Sequence, residues 1–140
     1  MTQPPINRPP TSNRRSAAWF VAVGCSAAAV HWSIAVGLVA QAGWPPLLAN
    51  VAGWLVALGV SFGGHHGLSF AGHRAPLRQA APRFALVSGM GFLVNELSYA
   101  LLLRLAPEHY GAWLALVLVL MAGLTYLLAR HWAFAGKAAP

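Results

Sequence analysis

The chain has 140 residues, of which 58% are hydrophobic and only 8% charged, with a mean hydropathy of +0.59. A soluble domain carries roughly 25% charged residues, so the composition excludes a soluble catalytic domain and predicts an all-α membrane protein. The net charge of +7 falls on the flanks of apolar stretches, where membrane topology accounts for it, and gives no reason to expect a nucleic-acid partner.

In chain order, residues 1–16 are rich in Pro, Asn, Thr and Ser and read as a disordered tail. Four apolar stretches follow, at 17–40, 47–64, 84–105 and 112–129. At 1.5 Å per residue they run from about 27 to 36 Å, which matches a hydrocarbon core of about 30 Å. Together they make a four-helix transmembrane domain over 17–134, with a short tail at 135–140. Residues 65–70 and 130–134 are expected to carry the second and fourth helices into the interface. Arg14-Arg15 before an apolar run and Ala40-Gln41-Ala42 after it suggest a signal peptide. The run is longer than the usual apolar segment of about 7–15 residues, so a retained first helix is the expectation. Cys25, alone inside a span, supports neither a disulfide framework nor a metal site. Every Lys and Arg except Arg104 lies before the first span, between the second and third, or after the fourth. The positive-inside rule then places both termini and the central loop in the cytoplasm, and the two short connections near 43–46 and 107–111 outside.

Residues 19–76 overlay 83–140 without a gap at an offset of 64: Phe20 falls on Phe84, Val23 on Val87, Gly59 on Gly123, Phe70 on Phe134 and Pro76 on Pro140. Each copy holds two spans, so both enter from the same side. This predicts two parallel helical hairpins related by an axis along the membrane normal. Small residues at Gly24 and Ala28, Gly53 and Ala57, and Gly59 and Gly63 permit close helix contacts, within one bundle or in a homo-oligomer.

Two sets of residues are candidates for a site. The first lies within the spans. His31 falls on Asn95 at the offset, and Glu96 is the only acid in any predicted span. A carboxyl there is costly unless paired or facing water. The group can hold a polar substrate or take up a proton, or it can fix packing with His31 or Asn95 as the partner of Glu96. Asn50, with Leu114 at the offset, opens the second helix and can cap it or line a vestibule. The second set closes each repeat. Phe62, His66 and Phe70 repeat the spacing of Tyr126, Arg130 and Phe134, with His65 and Trp132 alongside. Residues four apart share a helix face, so each copy brings a basic group to the headgroup level between aromatic rings. Such a group can bind a lipid phosphate, with Arg83 nearby, or simply anchor the helix among membrane lipids.

At these residues the chain resembles the GtrA-like family of small four-helix membrane proteins. The resemblance runs over about 20–134 and rests on Arg83-Phe84, Gly89, Asn95, Ala49-Asn50, Ser61-Phe62, Phe70, Thr125-Tyr126, Arg130, Trp132 and Phe134. His66 departs from the usual Arg or Lys, and His31 from an Asn or Asp. The resemblance implies a part in cell-surface polysaccharide synthesis in the bacterial cytoplasmic membrane. The implied activity is translocation of polyprenyl-phosphate-linked sugars to the outer leaflet or, alternatively, recruitment of a membrane glycosyltransferase. A small multidrug-type exporter shares the size and a lone intramembrane Glu, but its carboxylate is expected in the first helix, which here has no acid. No nucleotide-binding motif, catalytic carboxylate pair, metal-ligand set or cofactor signature is present, so the expectation is a carrier and not an enzyme.

Overall fold

The protein is described by a computed structural model over residues 11–64 and 77–134. Among these residues the only regular secondary structure is helical. Helix α1 spans Thr11–Ala42, α2 Pro46–Gly64, α3 Leu77–Leu103 and α4 Tyr110–Phe134, and a 3-10 turn at Pro107–His109 leads into α4. The stretches Ala18–Ala42, Pro46–Gly64, Ala81–Leu103 and Pro107–Thr125 are each long and apolar enough to cross a membrane. They lie close to the four expected from hydropathy. Helix α1 begins at Thr11, inside the stretch whose composition suggests a tail ending at residue 16. Pro9 and Pro10 precede it, and nothing after them breaks a helix that the apolar run has already nucleated.

The α1–α2 connection is three residues long. Gly43 adopts φ 65°, and its N–H donates to Val39 O at 3.2 Å, a left-handed cap that an L side chain resists. Pro46 stands at the first position of α2, where its missing N–H costs nothing. Gly43→Ala is therefore expected to destabilise the hairpin by about 1 kcal/mol, the left-handed penalty for a residue with a Cβ, measurable as an earlier thermal transition in detergent.

Consecutive helices run antiparallel. Phe62 near the end of α2 meets Phe84 near the start of α3, with ring centroids 5.5 Å apart. Trp32 of α1 donates from Nε1 to Gly111 O at the start of α4 at 2.9 Å. The start of α1 and the end of α4 thus share one end of the bundle with the starting turns of α3, where Arg78 and Arg83 stand exposed. Arg104 lies beyond the end of α3, at the opposite end.

Lipid tails are as apolar as Leu, so burial of apolar surface does little to hold these helices together, and close packing and polar contacts must do it. The outer face of α3 (Leu86, Met90, Leu93, Leu97 and Leu101) is exposed, as a lipid-facing surface requires. The buried core joins all four helices through Ala35, Ala49, Tyr99, Leu114 and Val117. At Gly53 the backbones of α1 and α2 touch: a Cβ there would lie 2.6 Å from His31 O and 3.3 Å from Ala35 Cβ. The α1–α2 hairpin is accordingly the most extensively packed pair. Gly24, Gly59 and Gly63 behave differently, since a Cβ at any of them would meet nothing within 4 Å. Among the described residues, no side chain packs against these glycines.

Candidate functional site

The site is built on Asn50. It stands in the second turn of α2 and is wholly buried, and His31 and Asn95 beside it are buried too. His31 of α1 donates from Nε2 to Asn50 Oδ1 at 2.7 Å and to Asn50 O at 3.1 Å. Both partners are acceptors, so Nε2 carries the ring proton. The Asn50 amide donates its two N–H groups onward, to Asn95 Oδ1 at 2.9 Å and to Glu96 Oε2 at 2.6 Å. One amide therefore uses its acceptor on α1 and both donors on α3. Among the described residues no buried side-chain N or O lacks a partner.

Asn50 is not a helix cap, because α2 starts at Pro46 and the side chain points across to two other helices. The partner of Glu96 is Asn50, rather than the expected His31 or Asn95. His31 and Asn95, paired by the 64-residue offset, do meet through the same amide. His31 stands at about the middle of the membrane-length stretch Ala18–Ala42, and Asn95 and Glu96 about one turn past the middle of Ala81–Leu103, close to the mid-span position expected of them. Asn50 lies one turn inside the start of α2.

Below the network, toward the end of the bundle that carries Arg83, an aromatic seam continues between α2 and α3. Trp54 stacks on Phe92 with centroids 4.5 Å apart and planes 16° from parallel. Trp54 Nε1 donates to Ser88 Oγ at 3.1 Å, and Phe92 also lies tilted against the His31 ring at 6.4 Å. The Phe62–Phe84 contact follows, next to Arg83. Trp54, Ser88 and Phe92 escape a reading of the sequence because aromatic rings blend into an apolar span. Their signal is the spacing of Phe84, Ser88, Phe92 and Glu96, four apart on one face of α3, opposite Asn50 and Trp54, four apart on α2. Glu96 is only half-buried and Ser88 and Trp54 are likewise partly open, so the seam is reachable from outside the core.

The second expected set is placed only in part. His65, His66 and Phe70 lie outside the described residues. Tyr126, Arg130, Trp132 and Phe134 stand in the last turns of α4, at the same end of the bundle as Arg83, and their side chains lie outside the described ones. Among the described residues no group of His, Cys, Asp and Glu could hold a metal ion.

Four membrane-length helices around a buried amide–imidazole–carboxyl network define a small polytopic membrane protein with an intramembrane polar site. The chain belongs to the family described as GtrA/DPMS, transmembrane domain, which matches residues 19–134. At family level this supports a part in lipid-linked sugar translocation. No curated relative and no solved structure matches the chain significantly.

Proposed function

We propose that the protein carries polyprenyl-phosphate-linked sugars from the cytoplasmic to the outer leaflet of the bacterial cytoplasmic membrane, for cell-surface polysaccharide synthesis. The Asn50-centred network is the observation that carries this reading. A sugar hydroxyl both donates and accepts. It can replace the Asn50–Asn95 and Asn50–Glu96 bonds one for one, so a headgroup enters without stranding a buried polar atom. The aromatic seam of Trp54, Phe92, Phe62 and Phe84 leads from the Arg83 end of the bundle to that network. Arg130 and Arg83, with His66 and His65, receive the lipid phosphate at the cytoplasmic interface. The prenyl chain stays in lipid. The substrate leaves unchanged, so no catalytic residue is assigned, and Glu96 is the group through which protons would couple to transport.

The phosphate arm is tested with Arg130→Ala. An Arg–phosphate contact contributes about 1.5–3 kcal/mol, so affinity for a polyprenyl-phosphate sugar should fall by roughly one to two powers of ten, read by native mass spectrometry of the purified protein. Unchanged binding removes Arg130 from the site.

One observation favours a second reading, an anchor that recruits a membrane glycosyltransferase. Gly59 and Gly63 present a small-residue strip on α2 against which none of the described residues packs. It suits a partner helix or a second copy of the chain. Co-purification of one glycosyltransferase, lost on Gly59→Leu and accompanied by no lipid binding, would replace the carrier reading with this one.

A further inference from the structure

Four pairs of positions 64 apart are buried together in this bundle, and three of them differ in size or polarity. His31 and Asn95 are both buried, as are Ala35 and Tyr99, Asn50 and Leu114, and Gly53 and Val117. In the first hairpin the positions around the polar network are small: Ala35, Ala49 and Gly53. Their counterparts are Tyr99, Trp113 and Val117, and the hub Asn50 is replaced by Leu114. Tyr99, Leu114 and Val117 pack together with Ala35 and Ala49 in the common core, and Tyr99 and Leu114 are at most 1% exposed. Where the first hairpin brings the Asn50 amide to His31, the second carries the isobutyl group of Leu114 at the matching position. Asn95 instead turns its Oδ1 to Asn50. The imbalance extends toward the Arg83 end of the bundle, where Val23 is 7% exposed and Val87 is 72% exposed.

We propose that each chain holds a single headgroup site, in the seam of α1, α2 and α3, and that the counterpart position between α3, α4 and α1 is closed by Tyr99, Leu114 and Val117. This rests on the carrier reading and adds its stoichiometry and the hairpin that supplies it. A polar headgroup needs donors and acceptors to replace water, and the second position offers an isobutyl group where the first offers an amide. The repeat that the sequence displays is then a repeat of scaffold, with binding retained by one copy.

The test is native mass spectrometry of the full chain with farnesyl-phosphate glucose as the probe, counted per chain whatever the oligomer. One probe per chain is expected at saturation. Asn50→Leu, which puts at position 50 the residue that position 114 carries, should lower occupancy at least tenfold while the protein stays helical and monodisperse. Two probes per chain overturn the single-site inference and leave the carrier reading standing. One probe per chain retained in full by folded Asn50→Leu also overturns it, by locating the site elsewhere. No probe on the wild type overturns the carrier reading, and this inference with it. The wild-type count decides between one site and two even where the variant fails to fold.

Discussion

Asn50→Ala is expected to lose both stability and ligand binding. The change removes one acceptor of His31 and the donor of Asn95 and Glu96 together, leaving Asn95 and Glu96 without their Asn50 partner and His31 with only the backbone carbonyl of residue 50. In a soluble protein each stranded group costs about 1–3 kcal/mol. Within a membrane the average interhelical hydrogen bond contributes only about 0.6 kcal/mol, because separated helices find other partners. With three bonds to side chains broken at once, a net loss of about 2 kcal/mol follows from that smaller value. It should appear as a lower thermal transition in detergent, together with at least a tenfold loss of affinity for a polyprenyl-phosphate sugar. If Asn50→Ala keeps both the stability and the binding of the wild type, the network is a bystander.

Gly53 governs the same site from the other direction. It has no side chain to contribute, and its role is to let α1 lie against α2 at His31. A Cβ there would sit 2.6 Å from the His31 carbonyl oxygen and 2.7 Å from its ring carbon Cδ2. Neither can yield without moving the backbone of α1 or turning the imidazole away from Asn50. Gly53→Ala is expected to cost about 1–3 kcal/mol, the usual range for an overpacked interior, and Gly53→Leu more. Gly59→Ala is the matched control on the same helix, because its Cβ meets nothing among the described residues. Its thermal transition should not fall below that of the wild type, since alanine is the better helix former. Equal destabilisation by the two alanines would contradict the close approach at Gly53. A loss confined to Gly53→Ala, with binding reduced in parallel, ties the α1–α2 contact to the site.

Much of this architecture is legible in the sequence, and the reasons differ from residue to residue. The four spans stand out because lipid-facing surfaces such as Leu86, Met90 and Leu93 must be apolar, so hydropathy reports them directly. The pairing of His31 with Asn95 is visible because the 64-residue offset is kept without a gap. Glu96 is conspicuous as an isolated acid. Asn50 is harder to read. It lies near Pro46, where an Asn is usually a capping residue, and the offset matches it with an apolar Leu114. Its role depends on which helices lie across from it, and no local pattern encodes that. Trp54, Ser88 and Phe92 are hidden for a related reason: an aromatic ring in a membrane helix has the same hydropathic signature whether it faces lipid or a seam. The small residues divide in the same way. Gly53 and Gly59 look alike along the chain, and only the position of α1 separates a close contact from an open face.

The central claim is that the network around Asn50 and Glu96 moves a lipid-linked sugar across the bilayer. It is tested most directly by reconstituting the protein into liposomes with a fluorescent polyprenyl-phosphate sugar and following its arrival in the opposite leaflet. Wild-type protein should exceed protein-free liposomes. Glu96→Gln should lose at least tenfold of that rate and, if Glu96 couples protons, its dependence on pH. Wild-type protein that moves the lipid no faster than empty liposomes would contradict the account.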